Sequence, residues 1–196
     1  YSSDVLAGIS WVLERKEQLG IRILNISVGA CSKRGMSENS ALVKGVNRAW
    51  DAGLVVVVAA GNNGPRTMSI TTPGISRKVI TVGCSDDDRE VLVGGNRMVD
   101  YSGRGPTAAC ICKPDLVAPG CSVVSCSSRA DKYTIKSGTS MSTPIVSGAV
   151  ALLLERFPDM SNKDVKLRLR ESSVDIGLPR NQQGWGLLDV GKMLER

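Results

Sequence analysis

The chain has 196 residues, the length of one domain, with 42% apolar and 22% charged residues, a composition too hydrophobic for disorder. It contains no histidine, which excludes a Ser-His-Asp or Cys-His catalytic unit made by this chain alone, and any His-ligated metal site. A net charge of +6 supports solubility, but the densest basic group, Lys163, Lys166, Arg168 and Arg170, has few aromatics nearby and reads as a solvated helix face rather than a nucleic-acid site.

In chain order, Val5, Leu6, Ile9, Val12 and Leu13 form a 3.6-residue stripe, predicting a helix capped by Ser3 or Asp4 and ended by Gly20. Residues 21–28 are a short β-rich run closed by Gly29, and a second helix is predicted from about Ser37 to Ala52. Leu54 to Ala60 is apolar on both faces, as in a central strand of a covered parallel sheet, and Val79 to Val82 is a further strand. Helix, strand, helix, strand in this order predicts a doubly wound α/β layer. From Asp86 to Lys136 the frequent Gly, Ser and Pro suggest antiparallel excursions, with Asp86-Asp87-Asp88 read as a solvated turn that lacks the alternation of a calcium loop. Pro144 to Arg156 is a strongly apolar helix expected to be buried on most of its circumference, with Pro144 in its first turn. Ser161 opens an amphipathic helix through Arg170. There is no internal repeat or linker, and one domain is expected over 1–196.

No run approaches the roughly 18 apolar residues of a membrane span. The first residues, Tyr1-Ser2-Ser3-Asp4, have no signal-peptide character, and the absence of an initiator Met suggests a piece of something longer. Six cysteines, at 31, 84, 110, 112, 121 and 126, fit no paired zinc pattern. They read as replacements for small apolar residues, which would favour the cytoplasm. A Cys121–Cys126 or Cys110–Cys112 disulfide in a secreted protein is the alternative.

Three segments carry chemistry. Ala59-Ala60-Gly61-Asn62-Asn63-Gly64-Pro65 leaves the carboxyl end of the most buried strand, where α/β sheets bind ligands, and an Asn there can donate to developing negative charge. An Asn-Gly turn is the structural alternative. Ser137-Gly138-Thr139-Ser140-Met141-Ser142-Thr143-Pro144 places a serine at a helix amino terminus, which suits a nucleophile whose attack makes an oxyanion. Plain N-capping by Ser140, Ser142 or Thr143 is the alternative there. Asn25-Ile26-Ser27-Val28-Gly29 is a third strand end, able to pair with an extended peptide.

Together these segments resemble the subtilisin-like serine proteases, or subtilases. Gly138-Thr139-Ser140-Met141-Ser142-Thr143-Pro144 is similar to the family's G-T-S-M-[AS]-[TA]-P nucleophile motif, and Ala60-Gly61-Asn62-Asn63-Gly64 to its oxyanion motif. The 101–106, 113–120 and 184–189 segments match further family signatures in the family's order. The resemblance implies a subtilisin-like fold, truncated at its amino-terminal side, with Ser140 as nucleophile and Asn62 and the Ser140 N–H as oxyanion donors. It places Ser27, Val28 and Gly29 on the peptide-binding edge and Ala59, Ala60 and Gly61 in a wall of the pocket for the residue before the scissile bond. Asn63 would lie at that pocket's rim, Thr71 near its floor, and Thr72-Pro73 at a bond the family often holds cis.

The family's D-[ST]-G and H-G-T motifs, which carry its catalytic Asp and His, do not occur here, and Ile145 stands where a non-catalytic His usually follows the T-P pair. The resemblance thus covers a carboxyl-terminal part of a catalytic domain, expected to be nearly inert alone. A non-catalytic peptide-binding pseudoprotease is the alternative function. No cofactor is required, although the family often binds Ca²⁺ and the carbonyls around Gly74, Ser76 and Val79 would suit a weak Ca²⁺ or monovalent cation site. The expected partner is a polypeptide substrate, with no nucleic acid and no membrane. An apolar edge uncovered by truncation is expected to drive self-association, and a clean monomer in light scattering at about tens of micromolar would count against it.

Overall fold

The computed structural model describes residues 2–29, 38–128 and 132–195. Helix α1 (Ser2–Leu19) stops where Gly20 takes φ +63°, and it begins early enough that Ser3 and Asp4 lie in its first turn rather than capping it. After β1 (Ile23–Ile26), α2 (Ala41–Asp51) is capped by Ser40, whose Oγ accepts from Val43 N at 3.3 Å. The predicted start near Ser37 lies outside the described residues. Strands β2 (Val55–Ala59) and β3 (Ile80–Cys84) follow, then the hairpin β4 (Val91–Val93) and β5 (Asn96–Met98). Next come β6 (Leu116–Ala118) and a second hairpin, β7 (Val123–Cys126) with β8 (Tyr133–Lys136). Four helices close the chain: α3 (Thr139–Arg156), α4 (Asn162–Ser172), α5 (Arg180–Gln183) and α6 (Val190–Leu194).

The main sheet has the order β1-β2-β3-β6 and every pair is parallel, with Ile23 opposite Val55, Val57 opposite Ile80 and Val82 opposite Leu116. Every residue of β2 and β3 is buried, which requires cover on both faces. Helix α3 lies across β1, β2 and β3, while α2 packs on β2 and α1 on α2. This is the doubly wound layer predicted from the sequence. The outer edge of β1 has no strand partner among the described residues, and beside it an open groove is lined by Val5, Trp11, Leu24 and Val28. No described helix is long and apolar enough to cross a membrane.

Several local expectations change. Helix α3 begins at Thr139, so Pro144 falls inside it, and Leu152 is 48% exposed while Val146, Val150, Leu153 and Leu154 carry the buried face. The Asp86–Asp88 run is not simply a solvated turn. Asp86 Oδ1 accepts from Gly120 N (2.7 Å) and Cys121 N (3.0 Å), and Asp87 is buried with Oδ2 accepting from Ser102 N at 2.6 Å. Burial holds the Asp87 carboxyl above its ordinary range. The basic face of α4 is likewise partly engaged: Arg168 donates to Met193 O, and Lys166 stands over the Trp50 and Trp185 rings. Cys84, Cys110, Cys112, Cys121 and Cys126 are all unpaired, so neither open disulfide forms; Cys31 lies outside the described residues. Burial pushes the Cys84 thiol up to about 12, which makes it inert as a nucleophile.

Candidate active site

The carboxyl ends of β1 and β2 and the amino end of α3 meet at one place. Ser140 is the second residue of α3, and its Oγ donates to Ser27 O, just past β1, at 2.8 Å. The N-capping alternative fails here: the cap is Gly138, at φ +136° with no side-chain cap, and Thr143 Oγ1 bonds back to Thr139 O. The Ser140 hydroxyl therefore faces across to the strand end, in the field of an 18-residue helix's positive terminus.

Asn62 lies three residues beyond β2. Its Oδ1 accepts from both Thr139 N and Thr139 Oγ1, each at 3.0 Å, while Thr139 Oγ1 itself accepts from Gly61 N at 3.2 Å. This relay fixes which end of the amide is which, because an oxygen engaged by two donors leaves Nδ2 as the end with hydrogens to give. Nδ2 makes no hydrogen bond among the described residues. A Cβ on Gly138 would stand 3.2 Å from Nδ2, so glycine at this left-handed position also keeps that amide's place clear. Thr139, the residue that orients Asn62, was missed in the sequence; its only signal was its place between Gly138 and Ser140.

The other candidate positions converge on the same end. Gly29 and Gly61 both pack on Thr71, whose N donates to Ala60 O at 2.8 Å and whose Oγ1 donates to the same oxygen at 3.2 Å. Ala59 and Ala60 are buried, so they reach the cleft through backbone alone, whereas Val28 and Asn63 are exposed. The Thr72-Pro73 bond is cis.

On the β3–β6 side of the sheet, two of the carbonyls considered for a cation, those of Gly74 and Val79, are already engaged. Gly74 O accepts from Thr81 Oγ1 at 2.7 Å, and Val79 O accepts from Lys113 Nζ (3.0 Å) and Lys166 Nζ (2.9 Å). Lys113, 1% exposed, also donates to Thr81 Oγ1 (3.0 Å) and Asp115 Oδ2 (2.5 Å), and Lys166 Nζ lies 3.5 Å from Asp115 Oδ1. Two ammonium groups thus supply the positive charge that Val79 O attracts, while a hydroxyl serves Gly74 O. Among the described residues no cluster of acidic, Cys or His side chains is arranged to hold a metal.

Burial lowers Lys113 to about 8 from its ordinary 10.5, against the opposing pull of Asp115. Between those two values the unfolded chain binds a proton that the folded chain does not, so the Lys113 contribution makes stability rise with pH across the window and leaves it flat below. Urea unfolding of the native chain and of Lys113→Met from neutral pH to about 10.5 checks this: the native-minus-variant stability should climb through the window. A flat difference would disprove it.

A hydroxyl at a helix amino terminus, a locked carboxamide and an open strand edge thus lie together at one end of an α/β sheet. The model of the Subtilase family matches residues 1–186, most of the chain. Serine protease AprX of Bacillus subtilis (strain 168) is 37% identical over 188 residues, covering 87% of this chain and 42% of that protein. Subtilisin DY of Bacillus licheniformis is 33% identical over 190 residues, covering 96% of this chain and 61% of its own length. The solved structure of Sphericase superposes with a TM-score of 0.78 at 30% identity, over 97% of this chain and 64% of that one. The chain belongs to the subtilase family of serine proteases, hydrolases of peptide bonds, and it spans about two-fifths to two-thirds of these relatives.

Proposed function

We propose that this chain carries the nucleophile, the oxyanion donors and the substrate edge of a serine endopeptidase whose general base lies outside these 196 residues. The observation that carries the reading is the Thr139 relay, which holds Asn62 with its donor end unspent beside Ser140.

An extended peptide pairs along Ser27, Val28 and Gly29 and lays its scissile carbonyl against the amino end of α3. Ser140 Oγ attacks the carbonyl carbon while its proton passes to an imidazole supplied from outside the chain. The oxygen, now negative, accepts from Asn62 Nδ2 and Ser140 N–H. The imidazolium returns the proton to the leaving amine as the C–N bond breaks, leaving an acyl group on Ser140. Water then attacks by the same route, giving the acid and restoring the hydroxyl. With no histidine in the chain, Ser140 alone remains an un-ionised alcohol, and the 196 residues in isolation retain at most the roughly 10³–10⁴-fold over water that binding and the oxyanion site supply.

Fluorophosphonate labelling of the native full-length protein tests this. A covalent adduct on Ser140, found by peptide mass mapping, is the expected result. Binding of extended peptides without any adduct would replace the endopeptidase reading by the peptide-binding module.

A further inference from the structure

The endopeptidase reading leaves open which peptide bonds are cut, and the cleft itself limits the answer. We propose that Thr71 sets the substrate class: it fills the space between Gly29 and Gly61, so that the protease cleaves after small residues such as Gly, Ala and Ser and rejects aromatic and long aliphatic ones. This rests on the placement of the peptide along Ser27–Gly29.

The side chain before the scissile bond enters between two backbone walls, one at Gly29 and one at Gly61. Glycine on both walls would open a slot wide enough for a flat ring. Here the slot is occupied. An ideal Cβ on either glycine would stand 2.9 Å from Thr71 Cβ and closer still to its Oγ1, so the threonine touches both walls at once. Its Cγ2 methyl leans on the Gly61 side, 3.6 Å from the Gly29 Cβ position. The pocket therefore ends at Thr71 rather than continuing between the glycines.

Nor is the plug loose. Thr71 is 4% exposed, between Ile70 at 1% and Thr72 at 5%. Its N–H and its hydroxyl both donate to Ala60 O, and its β-branch restricts χ1, so swinging aside would sacrifice a buried hydrogen bond. What remains at the pocket floor is a methyl and a hydroxyl oxygen, a surface that takes a methyl or hydroxymethyl group. A larger side chain must leave its apolar atoms in water or distort the walls. Discrimination by such a pocket is worth about 10–200-fold per methylene-sized misfit.

The experiment uses native full-length protease that labels at Ser140, with two peptide amides differing only in Ala or Phe before the scissile bond. The Ala substrate should have the higher kcat/KM by at least about 10-fold. Thr71→Gly should raise the ratio of kcat/KM for the Phe substrate to that for the Ala substrate by about 10–100-fold, while Thr71→Val, which keeps the shape, should retain the native preference. Labelling at Ser140 together with equal or better cleavage after Phe in the native enzyme would overturn the role of Thr71 and leave the endopeptidase reading standing. An unchanged preference in a Thr71→Gly variant that still labels would overturn it equally. No labelling and no hydrolysis of either peptide would instead remove the endopeptidase reading, and this inference with it.

Discussion

Ser140→Ala in the native protease is expected to lower kcat by about 10⁶-fold, the size of loss that subtilisin itself shows when its nucleophile is removed. The magnitude follows from what the hydroxyl does. In the proposed mechanism it is the atom that becomes acylated, and its described neighbours do not replace that function: Ser142 Oγ, two residues on, is buried and without a hydrogen-bond partner among the described residues, and Ser27 contributes its carbonyl to the Ser140 hydroxyl. Asn62→Ala should cost less, about 10²–10³ in kcat, again the size known from subtilisin, with KM little changed because the hydrogen bond strengthens only as the oxyanion forms. Combining the two should cost scarcely more than Ser140→Ala alone, since an oxyanion donor has nothing to stabilise once the attack is gone. Steady-state kinetics on a peptide amide, with active-site titration, provides the check. A Ser140→Ala variant that keeps more than about a hundredth of the native rate would mean the nucleophile lies elsewhere.

The largest effect expected on stability is at Asp115. Its Oδ2 accepts from Lys113 Nζ and from Thr81 N (2.7 Å), and its Oδ1 faces Lys166. Asp115→Ala removes the only carboxylate among the described residues that pairs with these two lysines and leaves Lys113, almost wholly enclosed, as an unmatched ammonium or a neutral amine. Breaking a buried pair in this way costs about 3–5 kcal/mol, enough to consume a large part of a domain's net stability. Replacing the pair together, Lys113→Met with Asp115→Leu, removes the stranded charge and should recover most of that loss, although Thr81 N then lacks its acceptor. Urea unfolding midpoints of the three chains decide the matter. If the double variant is no more stable than Asp115→Ala, the cost lies in the hydrogen bond to Thr81 rather than in the uncompensated charge.

Much of the architecture could be read from the residues because burial writes itself into the sequence. Val55 to Ala59 is apolar at every position, as only a strand covered on both faces can be, and Ser161 with Asp164 forms the capping box that its spacing foretold. Strand β6 was not foreseen as part of the sheet. Leu116–Ala118 is too short to show a period, and its place beside β3 depends on a partner more than thirty residues back. The start of α3 was placed late for a related reason. Pro144 suggested a first turn, yet the helix is nucleated earlier, around Gly138, by contacts from Gly120 and Asn62 that no local pattern reveals. At the candidate site, the motifs pointed to the segments of Ser140 and Asn62 that the fold brings together, whereas the contact of Thr139 with Asn62 was not foreseen, because a hydroxyl between two polar neighbours gives no sign of which it will serve.

The four parallel strands bring β1 and β2 to Ser27 and Asn62 at their carboxyl ends, while Val79, Lys113 and Asp115 gather at the amino ends of β3 and β6. Chemistry and anchoring are thereby kept on different strands, β1 and β2 against β3 and β6. A designer seeking a hardier protease can rebuild the lysine–aspartate knot without touching an atom of the cleft, and one seeking a new specificity can alter the cleft while the knot keeps the sheet closed. Such a molecule can accumulate change on one pair of strands while the other pair stays fixed.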